Sequence, residues 1–392
     1  MDARLAMLIR HSHPAASDAG DAAVAQPKSG DDLLQFTLWL MGFGPSDMPN
    51  TPPSASASAS AFVRHHGIAG LLVSTRIDAL DLPNSIALNN EQRRIALRSL
   101  QLGGTLKTLV AAFAARDLKP LALKGPVLAL QAHGSLGARG GVDLDLMLDE
   151  LKWPQALEVL HDLGYTLAPD QHLPLPAGTH ELVLLHRTRP RVELHRRLLR
   201  QRHLLQHTDA MACDIDLQGT PVASLKPMHA LAYLIAHANQ HCFRRLIWLI
   251  DIHALLQRPD FDAAEAARQI KLSGTRAMLD ACLTLLERFF GTQVASPLQQ
   301  MRRPCRASKA MVDLATVAIC NSLSDNEVAA RLGPLKRVML DVALQDTPKG
   351  RWNALAGWLS PTGKDSNWVI LPRLLAFLYP AVRLYRLVMR SR

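Results

Sequence analysis

The sequence has few cysteines, few aromatic residues and no long hydrophobic run. Its five cysteines, among 392 residues, include no pair in the C-x-x-C spacing that redox and zinc sites use. Free thiols in a reducing compartment are therefore expected, rather than a disulfide framework. The first residues also lack a basic stretch followed by an apolar run and a small-residue cleavage site. We therefore expect no secretory signal and a cytoplasmic protein.

No segment of 18 consecutive apolar residues occurs, so the sequence does not predict a membrane-spanning helix. The C-terminal segment, residues 367–392, comes nearest, but prolines and arginines interrupt it. Leucine and aromatic side chains in this segment accompany five arginines. Such a pattern is typical of a helix lying on an anionic membrane surface, and also of a last helix packed on the protein with its arginines outward. Both interpretations stay open.

Positive charge is in excess. The chain has 44 Lys and Arg residues against 34 Asp and Glu residues, a formal net charge of +10. This balance favours an anionic partner such as a nucleotide, a nucleic acid or an acidic membrane surface. The arginines are dispersed, however, so charge alone does not separate a nucleic-acid-binding protein from one that is merely basic.

Changes in composition divide the chain into a low-complexity start, a helical lead-in, an α/β core, a helical bundle and a basic C-terminal segment. The five parts are residues 1–61, 62–117, 118–218, 219–366 and 367–392. The first part contains one possible helix at residues 32–42 and a linker, Pro45–Ala61, whose composition cannot bury enough apolar area to order itself. The sequence thus predicts an α+β fold, with a small mixed sheet embedded between helices.

The most informative segment is V-D-L-D-L, residues 142–146. Strand side chains alternate between faces, so Asp143 and Asp145 should point the same way while Val142, Leu144 and Leu146 point into a core. Two carboxylates held close together repel each other unless a cation lies between them. Mg²⁺ suits such a site, because it prefers a few carboxylates plus the phosphates of a substrate. Two aspartates at this spacing also occur on solvated strand edges.

A later segment offers a third carboxylate. Two short apolar strands around the turn at residues 187–190 predict a hairpin, and in its second strand Arg191, Glu193 and His195 share one face. If this strand lies beside the D-L-D-L strand, Glu193 joins the two aspartates. Three carboxylates could then hold two Mg²⁺ or Mn²⁺ ions about 3.5–4 Å apart. The alternative is that Glu193 simply pairs with Arg191 or another arginine.

A phosphate-binding segment is predicted just before the two aspartates. A short apolar run, residues 121–123, leads into Lys124 and Gly125, and a helix at Pro126–His133 begins with proline, a favoured first helical residue. Lys124 and the backbone amides after Gly125 would receive phosphate at the helix N-terminus. Arg139, in the following glycine-rich loop, could bind phosphate oxygens in a bidentate manner. Lys124 could also be an ordinary surface lysine.

Three runs carry a family resemblance: LALKGPVLALQAHGSLGARGGVDLDLML, VELHRRL and LKPMHALAYLIAHANQHCFRRLIWLIDIHALL. Over roughly residues 60–260 the chain resembles the uncharacterised nucleotidyltransferase family of the DNA polymerase beta-like superfamily. The resemblance implies a minimal nucleotidyltransferase core with a helical companion domain. It matches Asp143 and Asp145 to the metal-binding pair of the family and Glu193 to its third carboxylate. A Lys-Gly pair stands where better-known relatives have Gly-Ser, which changes how a triphosphate would be held.

The third run places His237 and His241 four residues apart, with Asp251 on the next predicted helix. Histidines at this spacing can bind zinc, but no clear third ligand accompanies them. We favour a buried polar network that joins His237, His241 and Asp251 and docks the bundle on the core. In a third interpretation one of these groups faces the metal centre and positions or deprotonates the acceptor. His195 is expected to support the metal site from beside Glu193.

The expected reaction is transfer of a nucleoside monophosphate from a nucleoside triphosphate (NTP) to an acceptor, with Mg²⁺ and release of pyrophosphate. The sequence does not indicate whether the acceptor is a small molecule, a protein or an RNA end. A non-catalytic nucleotide-binding or scaffold protein, acting beside a biosynthetic or toxin-type partner, is the alternative. Three converging carboxylates would argue against that alternative, because a protein without activity has no physical reason to hold repelling charges together. For shared metal binding, the carboxylates are expected to lie about 3–6 Å from one another.

Overall fold

The computed structural model contains one seven-stranded mixed sheet with helices before and after it, which confirms the predicted α+β fold class. It describes residues 30–43, 56–169, 171, 173, 180–199, 211–360, 368–369 and 378–389. Predictions for the first 29 residues, and for residues 45–55 of the linker, lie outside the described residues.

The strands are β1 (Leu121–Ala122), β2 (Asp143–Met147), β3 (Thr166–Leu167), β4 (Glu181–Leu185), β5 (Arg191–His195), β6 (Ala212–Asp216) and β7 (Pro221–Leu225). Before β1 lie α1 (Gly30–Leu40), α2 (Ser56–His66), α3 (Ser74–Asp78) and α4 (Leu82–Ala114). Between the strands lie α5 (Pro126–His133) and α6 (Trp153–Asp162). After β7 follow α7 (Pro227–Gln240), α8 (Leu246–Leu256), α9 (Ala263–Ser273), α10 (Arg276–Phe290), α11 (Ser296–Met301), α12 (Arg306–Cys320), α13 (Asp325–Leu332), α14 (Pro334–Ala343), α15 (Pro348–Leu359) and α16 (Tyr379–Met389).

The strand order is β3-β4-β5-β2-β1-β7-β6, so β2 lies at the centre of the sheet. β2 runs parallel to β5, and their register pairs Asp145 with Glu193. The apolar side chains of both strands, Leu144 and Leu146 on β2 and Val192 on β5, are almost completely buried on the opposite face. Helices α4 and α6 contribute to the apolar cluster on that face. The alternation predicted from the sequence therefore leaves the acidic side chains on the face away from this core.

One prediction about this strand was wrong. Val142 is 62% exposed rather than buried. It precedes Asp143, the first residue of β2 that pairs with β5. Alternation between core and solvent requires a paired strand, and it therefore ends where the pairing ends.

The sheet extends further along the chain than predicted. β6 and β7 form an antiparallel hairpin, and β7 adds to the edge of β1, where the Ser224 hydroxyl donates to the Ala122 carbonyl at 2.9 Å. The boundary predicted between residues 218 and 219 falls inside this hairpin. The predicted helical bundle therefore begins later than expected, at Pro227, because the five residues of β7, just before a proline-initiated helix, carry little strand signal on their own.

The linker prediction was also wrong in part. Its last residues form the start of α2, and Ala59 and Phe62 are at least 98% buried. Alanines of a Ser-Ala repeat lack the apolar area to order themselves, but a helix can present them to a core that other segments build.

At the C-terminal end, α16 packs against α14 and α15, and Arg383 Nε donates to the Trp358 carbonyl at 2.6 Å. Leu384 and Tyr385 remain about half exposed. This arrangement agrees with the interpretation of a last helix packed on the protein. Among the described helices, none is both long and apolar enough to cross a membrane.

A buried histidine ties α2 to the helical bundle. His66 is fully buried, its Nδ1 accepts a hydrogen bond from the Leu246 amide at 3.2 Å, and its Nε2 lies 3.1 Å from the Ile319 carbonyl. Only the neutral ring with its proton on Nε2 satisfies both partners. Burial lowers the pKa of His66 well below its usual value, and the neighbouring His65 lowers it further.

This arrangement predicts acid sensitivity. As the pH falls through about 6.5, His66 is protonated in the unfolded chain but stays neutral in the fold, so the free energy of unfolding decreases. Between pH 7 and pH 5 this one group should remove at most about 2 kcal/mol. Chemical denaturation at both pH values should show a smaller pH difference in His66→Gln than in the exposed control His161→Gln. Equal pH differences in the two variants would contradict the assignment.

Candidate active site

A cavity of about 790 Å³ opens over the acidic face of β2 and β5. This volume lies in the range of small-molecule and cofactor sites. Its cationic lining residues are Arg64, Arg94, Arg98, Lys124, Arg139, Arg191, Arg244, Arg245 and Arg337, and its acidic lining residues are Asp143, Asp145, Glu181, Glu193 and Asp341. The cavity therefore combines a carboxylate cluster with a predominantly cationic wall.

The structure brings the three predicted carboxylates together. Ligand atoms of Asp145, Glu193 and His195 all lie within 4.8 Å of one another. Asp143 stands outside this group, but Arg191 Nη2 lies 2.8 Å from both Asp143 Oδ2 and Glu193 Oε1. Because both oxygens lie 2.8 Å from the same nitrogen atom, the Asp143 and Glu193 carboxylates are close neighbours. Glu193 points to the same face as the aspartates, as the predicted hairpin required.

Two side chains contact Asp145, the most buried of these carboxylates. Lys124 Nζ lies 3.0 Å from Asp145 Oδ1, and His195 Nε2 lies 3.2 Å from the same oxygen. Burial by itself would lower the pKa of Lys124 and raise that of Asp145. Their mutual attraction outweighs burial, so the pKa of Lys124 is raised and that of Asp145 is lowered. Both groups are consequently charged at neutral pH.

Glu193 behaves differently. Burial, together with the negative charges of Asp145, Asp143 and Glu181, raises its pKa to about 7 despite the nearby Arg191. A carboxylate that retains a proton because of its acidic neighbours is a position where a divalent cation can replace that proton. Carboxylate oxygens are the donors that Mg²⁺ prefers, so the donor set fits a hard divalent cation. Asp145 and Glu193 would hold it, with Asp143 beside them.

The segment before α5 has the conformation that the predicted phosphate site requires. Gly125 is the residue before the first helical turn and has φ of 64°, in the region that favours glycine. Its carbonyl accepts the first helical hydrogen bond, from Ala129, at 3.0 Å. Lys124 is held against Asp145 rather than extended into solvent, so the interpretation of an ordinary surface lysine was wrong. Its contact with phosphate stays a prediction.

Arg139 lines the cavity but is 92% buried, and its Nε donates to Asp251 Oδ2 at 2.8 Å. Asp251 is fully buried and also contacts His133 Nε2 at 2.9 Å. Asp251 was predicted to form a network with His237 and His241, and this prediction was wrong, because the partners of Asp251 are His133 and Arg139. Helix α8 packs on α5, which brings Asp251 to His133 and to the loop that carries Arg139. Phosphate binding by Arg139 stays a prediction.

His237 and His241 are close to each other, with ring centroids 4.9 Å apart, and both rings contact Trp248. His241 Nδ1 lies 3.2 Å from Asp325 Oδ1. Burial and the charge of Lys124 lower the pKa of His237 well below its usual value, so this ring is neutral. Within the described part of the chain, neither histidine belongs to a cluster of three metal-ligating groups. The zinc interpretation of this pair thus finds no third ligand.

Arg245 lines the cavity but was not predicted from the sequence as a site residue. Its side chain is half-buried on the cavity wall, its Nε donates to the His65 carbonyl at 2.8 Å, and no carboxylate among the described residues pairs with it. Burial, Arg244 and Arg139 lower its pKa to about 10. An unneutralised guanidinium in a positive environment is a binding position for an anion. The Arg-Arg pair just before an apolar helix was the available signal.

The buried pair of Lys124 and Asp145 should be strongly coupled. Removal of either partner leaves a buried charge without compensation, so each alanine variant should lose about 3–5 kcal/mol of unfolding free energy. The double variant should lose clearly less than the two single losses together, measured by chemical denaturation. The exposed pair of Lys119 and Asp214, 3.1 Å apart, is the control and should show a coupling below about 1 kcal/mol. Additive losses for the buried pair would contradict this interpretation.

A family model described as uncharacterised nucleotidyltransferase matches residues 57–291. This match covers more than half of the chain, including the whole sheet and the cavity floor, and confirms the resemblance seen in the sequence. Neither the curated proteins nor the solved structures contain a significant match to the chain.

Proposed function

Because the chain belongs to the uncharacterised nucleotidyltransferase family, we propose that it transfers a nucleoside monophosphate from an NTP to an acceptor and releases pyrophosphate. One observation carries the proposal. Asp145 and Glu193 converge, with Asp143 beside them, at one wall of a cavity whose remaining wall is mainly cationic. Carboxylates that can bind Mg²⁺ and cations that can bind phosphate are the two parts that phosphoryl chemistry requires.

Asp143, Asp145 and Glu193 would hold one or two Mg²⁺ or Mn²⁺ ions. The ions would neutralise charge on the phosphates and activate the attacking group of the acceptor. The carboxylates themselves fix the reaction position, because strand pairing holds their backbones rigidly at the cavity floor.

The cations that neutralise the acidic cluster take a second role in this proposal. Lys124 and Arg191 lie within hydrogen-bond distance of the carboxylates. With a divalent ion held by the carboxylates, Lys124 and Arg191 would be able to contact phosphate oxygens bound beside them. Gly125 and the start of α5 contribute the positive end of a helix at the same place. Arg139 and Arg245 add positive charge on the wall, where phosphates further from the ions would bind.

The acidic pair should be required for metal-dependent binding. The variant Asp143→Asn/Asp145→Asn preserves side-chain size but removes two charges, so its NTP affinity in Mg²⁺ should fall to the level that the wild type shows in EDTA. Any nucleotide transfer should slow by at least about 100-fold, since metal coordination contributes several kcal/mol to transition-state stabilisation. Isothermal titration calorimetry with each NTP measures the affinity.

The matched control is Asp162→Asn/Asp214→Asn, which removes two exposed aspartates away from the cavity. Circular dichroism establishes that both double variants are folded. NTP affinity that is unchanged in the cavity variant would refute the proposed metal site.

Arg245 should contribute to nucleotide affinity. Arg245→Gln removes a charge that has no carboxylate partner in the described structure, so it should weaken NTP binding about tenfold or more, the usual contribution of a charge-assisted hydrogen bond. Arg288→Gln, on the exposed side of α10, serves as the control. Equal affinities for wild type and Arg245→Gln would show that this guanidinium does not face the nucleotide.

The acceptor class can be found directly. Purified protein is incubated with each labelled NTP, Mg²⁺ or Mn²⁺, and separated small-molecule, protein and RNA fractions of a cell extract. Label that enters one fraction in the wild type, but not in the Asp143→Asn/Asp145→Asn variant, identifies the acceptor. NTP binding without transfer to any fraction would support the alternative of a non-catalytic nucleotide-binding protein.

A further inference from the structure

A second cluster of metal-ligating groups lies on the other side of the His195 ring. Ligand atoms of His180, Glu181 and His195 all lie within 4.8 Å of one another. His180 Nε2 is 3.3 Å from Glu181 Oε2, and His195 Nδ1 is 3.9 Å from the same oxygen. We propose that these three side chains bind a transition-metal ion, Zn²⁺, separate from the ions at the Asp143, Asp145 and Glu193 carboxylates.

The ring of His195 is oriented as in a metal ligand. This residue is 97% buried, and its Nε2 lies against the carboxylate of Asp145 at 3.2 Å. A carboxylate only accepts hydrogen bonds, so in the neutral ring, the form that binds metals, the proton is on Nε2 and Nδ1 presents a lone pair. Within the described residues Nδ1 is buried without a hydrogen-bond partner. A buried lone pair directed at a carboxylate and a second imidazole is what a metal ion would satisfy.

The groups around His195 also have the arrangement that a metal site requires. Histidines that bind metals generally donate their other ring N–H to a carboxylate, and Asp145 occupies that position behind His195. The β4–β5 ladder pairs Glu181 directly with His195, and the Arg196 amide donates to the His180 carbonyl at 3.0 Å. The backbones of all three residues are therefore held next to one another before any ion binds.

The separations fit zinc. With Zn–N and Zn–O bonds of about 2.0–2.1 Å, tetrahedral ligand atoms lie about 3.3 Å apart. The two separations that Glu181 makes, 3.3 and 3.9 Å, are near this value, and the ligand nitrogens of the two histidines, which lie within 4.8 Å of each other, would move closer when an ion binds. Two imidazoles and one carboxylate suit Zn²⁺ rather than Mg²⁺, which prefers oxygen ligands. All three residues line the cavity, so an ion can enter.

The bound ion would fix the His195 ring and, through Nε2, the position of Asp145. His195 is thus a positioning residue in this scheme. The inference concerns metal binding alone and holds whether or not the protein transfers nucleotides.

The test uses the full chain, stripped with a chelator and then equilibrated with Zn²⁺ in excess Mg²⁺. Elemental analysis should find one Zn²⁺ per wild-type chain. His180→Ala and Glu181→Gln alter partly exposed side chains, and circular dichroism checks their folding. Both should weaken Zn²⁺ binding, measured by competition with a chromophoric chelator, by more than the ten- to hundredfold that loss of an outer partner costs.

Two control variants distinguish this site from the neighbouring carboxylate cluster and from surface histidines. Glu193→Gln alters the carboxylate cluster and should keep one Zn²⁺ per chain, and His161→Ala removes an exposed histidine and should do the same. Loss of Zn²⁺ in Glu193→Gln but not in Glu181→Gln would place the ion at the acidic cluster and overturn the proposal. Absence of stoichiometric Zn²⁺ in the wild type would overturn it as well.

Discussion

The parallel pairing of β2 with β5 is the constraint on which the rest of the site depends. It sets Asp145 beside Glu193 and Asp143 beside Arg191, and the buried leucines and valine of the two strands prevent a change of register. The acidic groups therefore cannot separate to relieve their repulsion. Their charges have to be offset locally, and the fold does so with Lys124 and Arg191, which lie within about 3 Å of them, while His195 adds a hydrogen bond to Asp145.

The surrounding helices supply the other half of the electrostatics. The lead-in and the bundle contribute most of the arginines of the cavity wall, while the sheet contributes most of its carboxylates. Several of these arginines have structural partners, as Arg139 has in Asp251 and Arg244 has in Asp325. Arg245 has none among the described residues, so its charge is available to a ligand. A cavity with an acidic floor and a basic wall suits a metal-bound polyphosphate better than either component alone.

Much of the acidic site could be predicted from the sequence. Alternation in D-L-D-L-M and in R-V-E-L-H was enough to assign the polar face, because strand geometry is local. The limits of Pro126–His133 were predicted correctly, since proline and glycine mark its ends. The β6–β7 hairpin was missed because its place in the sheet depends on pairing with β1, about 100 residues earlier. The burial of Ala59 likewise depends on residues that other segments contribute.

Which side chains share the acidic face, and that this face requires cations, follows from local sequence, because alternation and charge are properties of a few adjacent residues. Which cation meets which carboxylate depends instead on how distant segments pack. Asp251 pairs with Arg139, 112 residues away, rather than with the nearby His237 and His241, and Lys124 is held on Asp145. The packing of apolar helix and strand faces sets these distances, and any pair of opposite charges is equally compatible with the local sequence pattern.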